Sequence, residues 1–145
     1  MKKNENATFK FIKELYPGVD ITHPYHIKEK IFDEEGVLVR NYILVDFYLK
    51  LGVDEFLIEY DGSQHHRITK KWGGKIGAKE TLRRQKIRDK WLKQYCLDNK
   101  KILITIDGRK IRGKKIKSEL KRQFKKLIKK TAKKKAAKKK NPREI

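Results

Sequence analysis

Between residues 42 and 61 the chain alternates apolar and polar positions with the period of two that a β-strand imposes, and Gly52 interrupts the alternation where a tight reversal fits. The pattern predicts a β-hairpin with strands at residues 42–49 and 55–61. If the turn is centred between Gly52 and Val53, antiparallel partners carry numbers that sum to 105, so Asp46 falls opposite Glu59 and Leu44 opposite Asp61. Val45, Phe47 and Leu49 then face Phe56, Ile58 and Tyr60 with no charge among them, while the reverse face gathers Asp46, Glu59 and Asp61. One face is expected to be core and the other to concentrate negative charge. Register carries the inference, because a slip of one residue exchanges the two faces.

A helical period governs other stretches. In residues 7–16, Phe9, Ile12, Leu15 and Tyr16 share one face, Glu14 sits beside it, and Pro17-Gly18 stops the helix. Residues 78–99 predict the longest helix of the body: Leu82, Ile87, Trp91, Leu92, Tyr95 and Cys96 form a stripe to cover the sheet, with Asn99 as C-cap. Residues 101–106 read as a buried strand, and a strand after a helix implies a parallel or mixed sheet. Upstream, residues 25–32 predict a strand, 33–36 a turn and 37–39 the lead into the hairpin. From Lys115 a second amphipathic helix runs through Ile116, Leu120, Phe124, Leu127 and Ile128 and is expected to dock on the body. Residues 65–77, broken by Trp72-Gly73-Gly74, predict an irregular basic loop. Beside an acidic patch, that loop either holds substrate or is simply pinned to the body by Trp72. The fold class is α/β.

Charge divides the chain. Of the formal +22, the last 37 residues, 109–145, carry +17, with 19 Lys or Arg against two acids. The organisation expected is a body at 1–108, a basic amphipathic helix at 109–130 and a disordered Lys-rich tail at 131–145, ordered only by phosphate. Such a block is the electrostatic footprint of a polyanion ligand. No run approaches the roughly 18 apolar residues of a membrane span, and the tail lacks the bulky apolar face and interfacial Trp of an inserting helix, so no membrane partner is expected. The single Cys96 cannot form an intramolecular disulfide, and the N-terminus does not resemble a signal peptide; a cytoplasmic location is expected.

The sequence has no Gly-rich phosphate loop, no Cys/His spacing for zinc and no sign of an activated cysteine nucleophile. The hairpin carboxylates remain. Neighbouring carboxylates repel unless a cation sits between them, and oxygen donors on adjacent strands suit a hard divalent ion such as Mg²⁺. Asp46, Glu59 and Asp61 are therefore the candidate metal ligands.

Four segments fall in a telling order: Val45-Asp46-Phe47-Tyr48, Ile58-Glu59-Tyr60-Asp61-Gly62-Ser63-Gln64-His65, Arg88-Asp89-Lys90 through Tyr95-Cys96, and the apolar strand ending at Ile106. They resemble the PD-(D/E)XK nuclease superfamily, in particular the branch of very-short-patch repair endonucleases and phage-encoded homing endonucleases, over about residues 40–107. The resemblance implies a restriction-endonuclease-like mixed β-sheet flanked by helices and a Mg²⁺-dependent endodeoxyribonuclease activity, with Mn²⁺ as substitute. By position, it makes Asp46 the first metal-binding aspartate and Glu59 and Asp61 further ligands. Gln64-His65 matches the family's Gln-His pair, in which His65, or His66 in its place, handles the proton of the attacking water. Asp89 matches the helix acid and Glu14 the N-terminal glutamate. Lys70, Lys71, Lys75, Arg83, Arg84 and the tail would hold the DNA backbone. Val45 stands where the family has proline, Asp61 where a lysine is expected, and the structural zinc of the repair enzymes has no ligands here. The rival reading is a non-catalytic nucleic-acid-binding protein with a degenerate nuclease fold; a third is an accessory protein that binds a protein partner through its tail helix.

Overall fold

Strand β7 (Asp54–Asp61) is the axis of the protein, because Phe56, Leu57 and Ile58 are all fully buried and the strand is therefore covered on both faces. The computed structural model describes residues 3–61 and 77–139. β6 (Phe47–Leu51) precedes β7 through the turn at Gly52, whose φ of +63° is the left-handed conformation glycine adopts without strain. β8 (Lys101–Asp107) lies parallel to β7 on its other side, and β1 (Ile21–Thr22) pairs antiparallel with β6, giving the order β1-β6-β7-β8. A parallel neighbour requires a crossover, and α2 (Ala78–Asp98) lies between β7 and β8 in the chain. The mixed sheet predicted from the strand-after-helix pattern is present.

Two apolar clusters sandwich this sheet. On one face α1 (Lys3–Leu15) and α3 (Lys115–Lys139) deliver Ile12, Ile116, Leu120 and Phe124 onto Phe47, Leu49, Phe56, Ile58, Ile104 and Ile106. On the other, Leu92 and Cys96 of α2 meet Leu57 together with Ile27, Ile43 and Val45. The last three come from a two-stranded ladder of β2 (Tyr25–Ile27) and β5 (Ile43–Val45). A further small ladder, β3 (Ile31–Phe32) with β4 (Leu38–Arg40), closes around Asp33, whose Oδ1 accepts the N–H groups of Glu35 and Val37 at 2.9 Å each. Among the described residues the architecture is mixed α/β with three helices.

The hairpin register holds from Phe47↔Ile58 to Leu51↔Asp54, each pair summing to 105. The first strand, however, is two strands. The chain bends at Asp46, so Leu44 pairs with His26 instead of Asp61, and Val45 joins the α2-side cluster while Phe47 joins the opposite one. The acid-bearing face is not open either, since α2 packs over it. Residues 25–32 likewise break into β2 and β3. Asn99 does cap α2, its N–H 2.9 Å and its Nδ2 2.8 Å from the Tyr95 carbonyl, with the left-handed position falling on Lys100. α1 starts at Lys3, earlier than expected. α3 continues to Lys139 where a disordered tail from 131 was expected: lysine and alanine are strong helix formers, and neither glycine nor proline intervenes before Pro142. Among the described residues no helix is long and apolar enough to cross a membrane.

Candidate active site

The bend between β5 and β6 sets Asp46 at the end of the hairpin ladder. Its Oδ2 accepts the N–H of Tyr60 at 2.8 Å, so the carboxylate occupies a main-chain donor on β7 just past the Phe47↔Ile58 pair. Burial pushes the Asp46 carboxyl up to about 6; the Tyr60 N–H opposes the shift, the Glu5 and Glu59 charges add to it, and Arg88 offsets part of it. Asp46 is thus a carboxyl with a raised pKa and one oxygen already fixed. Its carbonyl is held as well: His23 Nδ1 lies 2.5 Å from the Asp46 main-chain oxygen, and the imidazole stacks on Phe47 with centroids 4.7 Å apart. A carbonyl only accepts, so Nδ1 carries the proton and Nε2 is the ring's other nitrogen.

Glu59 is 7% exposed and lies on the same strand face as Leu57, under α2. Both of its oxygens are occupied by one guanidinium, with Arg88 NH1 2.9 Å from Oε2 and NH2 2.5 Å from Oε1. Arg88 also donates to the Leu44 carbonyl at 2.8 Å and to Asp89 Oδ1 at 3.1 Å, tying α2 to β5 and β7 at one point. Burial works against its charge, but Glu59 and Asp89 more than offset this and raise the Arg88 pKa above its ordinary value. The cation that neighbouring carboxylates require is therefore, for Glu59, a side chain. Arg88 lies on the buried ridge of α2 with Leu92 and Cys96 at four-residue spacing, and a charged residue on an apolar stripe was the available signal for a buried partner.

Asp61 ends β7 on the Glu59 face, 8% exposed and in register with Asp107 of β8. Gly108 fixes this end of the sheet. Its N–H is 2.6 Å from the Asp61 carbonyl, and a Cβ there would stand 2.5 Å from that oxygen and 2.8 Å from the Tyr60 ring. Asp89 accepts from Gln85 at 2.9 Å as well as from Arg88. Asp46, Glu59 and Asp89 thus gather around Arg88. Glu14 does not join them: it bonds Lys117 of α3 at 2.8 Å, and the α1 acid whose charge reaches Asp46 is Glu5, nine residues or about 13 Å nearer the helix start. Arg83 and Arg84 share Glu80 as their partner at 2.7 and 3.0 Å, and Arg83 also lies 3.6 Å from Asp33. Gln64, His65, His66, Lys70, Lys71, Trp72 and Lys75 lie outside the described residues.

Among the described residues no group of three or more His, Cys, Asp or Glu side chains is arranged to hold a metal ion. The three-carboxylate set is reduced by the Arg88 fork on Glu59. A smaller set fits a hard ion: Mg²⁺ commonly takes one or two protein carboxylates and completes its shell with water and substrate phosphate. Asp46, with Oδ1 free of hydrogen bonds to described residues, meets that requirement. His23 and Glu5 are the neighbours that pattern reading missed. His23 stands outside every periodic run, and Glu5 precedes the predicted start of α1. Compared with protein-family models, with curated proteins and with solved structures, the chain matches none.

Proposed function

We propose that this chain is a metal-dependent DNA endonuclease with a restriction-endonuclease-like fold, acting on DNA in the cytoplasm. The observation that carries the reading is Asp46: a half-buried carboxyl at a strand bend, raised to about 6, with one oxygen pinned by the Tyr60 amide and Glu59 beside it. A β-hairpin followed by a helical crossover to a parallel strand supports the fold assignment. A bound Mg²⁺ or Mn²⁺ would neutralise the scissile phosphate and acidify its own water. Asp46 is the residue to hold it, with Asp61 as second carboxylate. His23 keeps the Asp46 main chain in place, Arg88 and Glu59 lock α2 to the sheet beside it, and the basic residues of α2, the 62–76 segment and α3 hold the phosphate backbone. His65, or His66, is the candidate to accept the proton.

One observation favours the alternative of a binding protein without catalysis: both Glu59 oxygens are closed by Arg88. Supercoiled plasmid incubated with purified protein in Mg²⁺, Mn²⁺ or EDTA separates the two. Nicking that requires the ion and disappears in Asp46→Asn is the expected result; DNA binding with no cleavage under any ion identifies a binding protein instead.

A further inference from the structure

A cleft of about 370 Å³ opens between β4, β5 and α2, lined by Val39, Arg40, Asn41, Tyr42, Leu44 and Arg88. Its size lies at the small end of the roughly 300–1,000 Å³ range of small-ligand pockets, on the scale of one nucleotide. Two guanidiniums face it, and they differ. Arg88 spends its donors on Glu59, Asp89 and the Leu44 carbonyl. Arg40 is half-buried, and among the described residues its one hydrogen bond is to the carbonyl of the adjacent Val39 at 3.2 Å; no carboxylate of those residues stands within ion-pair distance of it. Burial depresses the Arg40 pKa, and the positive charges of Arg88 and Arg84 depress it further, with Asp89 acting the other way. A guanidinium with five donors, one of them used, held in a cleft among other positive charges, is a place where an anion lowers the energy.

The other wall is aromatic. Tyr42 is 50% exposed, and His26 packs against it in a T-shaped contact with centroids 4.9 Å apart, so the ring is oriented while half its surface stays open. Leu44 adds exposed apolar surface on the same outer face of β5. A bound phosphate would therefore find an aromatic ring beside it, and Tyr42 lies at most about 13 Å along the strand from Asp46.

We propose that this cleft is a nucleotide subsite, in which Arg40 takes one phosphate of a DNA strand and Tyr42 stacks on the adjoining unpaired base. The assignment rests on the nucleic-acid reading above but not on hydrolysis, so it is tested in EDTA. Full-length protein is titrated against two labelled oligonucleotides over a series of salt concentrations, one a fully paired duplex and the other the same duplex with one nucleotide left unpaired. Wild type is expected to prefer the unpaired site, and Tyr42→Ala to lose that preference, roughly tenfold, without changing affinity for the paired duplex. Tyr42→Phe is expected to keep it. Arg40→Gln is expected to lower the log-log salt slope by about 0.9, one phosphate's share, and Arg40→Lys to restore it. Should Arg40→Gln fail to fold by circular dichroism, the exposed Tyr42 variants decide. Wild-type binding with no preference for the unpaired nucleotide, or a preference that survives Tyr42→Ala, overturns the subsite alone. Wild type that binds neither oligonucleotide overturns the nucleic-acid reading with it.

Discussion

Arg88 and Glu59 meet fork to fork in the interior, their side chains each 9% exposed, with hydrogen bonds of 2.9 and 2.5 Å between them. Removing one partner of a buried pair strands the other's charge, at a cost of about 3–5 kcal/mol, whereas replacing both with apolar residues of similar volume is commonly neutral or better. Arg88→Ala is therefore expected to lower stability by that amount in urea unfolding, and the double variant Arg88→Met with Glu59→Leu to recover most of it. In Arg88→Ala the two Glu59 oxygens become available, so Mn²⁺ is expected to restore part of the loss. A single variant as stable as wild type would show that the pair is not desolvated as described.

Asp46 gives the protein a pH signature of definite sign. Its folded pKa is raised from an ordinary 3.8 to about 6. The stabilisation from its protonated form is therefore complete below the lower value and lost as pH rises through the upper one. Asp46→Asn keeps an oxygen for the Tyr60 amide and removes the charge. The variant is expected to match wild type near pH 4 and to exceed it above pH 6 by at most about 3 kcal/mol, the equivalent of a two-unit shift. Urea midpoints across this range, in EDTA, test it; a difference that does not vary with pH rules out the buried charge as its source.

The hairpin turn was legible because Gly52 marks the reversal and a period of two leaves little freedom of register. The bend at Asp46 was not, because residues 43–47 read as one unbroken apolar alternation. Val45 and Phe47 are both fully buried, yet in opposite clusters, and a kink that exchanges faces leaves no trace in periodicity. Arg88 left one signal, a charge on an apolar stripe, but that signal does not name its partner. Its neighbours on the stripe are apolar, and a cation there reads as a solvated edge until its carboxylate is found across 29 residues of chain.

The His23 contact positions Asp46 through its main chain. If Asp46 holds the metal as proposed, substitution of a residue that orients such a ligand typically costs 10–100-fold. His23→Ala is expected to lower the cleavage rate by that range while leaving KM for DNA unchanged, and His23→Asn, which retains a donor, to recover part of it. A defect confined to KM would assign the imidazole to DNA binding.

If the chain binds DNA as proposed, α3 separates affinity from folding. Ile116, Leu120 and Phe124 anchor its first half in the core, while residues 131–145 add seven Lys or Arg and one acid. Truncation after 130 is expected to leave the unfolding midpoint nearly unchanged and to flatten the salt dependence of DNA binding, by about 0.9 in slope for each phosphate no longer neutralised. An unchanged slope would place the affinity in the body.

The parallel pairing of β7 with β8 also fixes the order in which the sheet is completed during synthesis. At ribosomal rates of roughly 5–20 residues per second, Glu59 is made about 1.5 to 6 seconds before Arg88, and β8 follows later still. Throughout that interval β7 is an edge strand, with Phe56, Leu57 and Ile58 in a row and no neighbour on one side. Such an edge is a template for pairing with another nascent chain, and inward-facing charge is one of the means by which proteins blunt it. Glu59 and Asp61 supply that charge at the growing end of the strand. Glu59, whose charge Arg88 neutralises in the finished protein, and Asp61 thus act first as gatekeepers of the unfinished one.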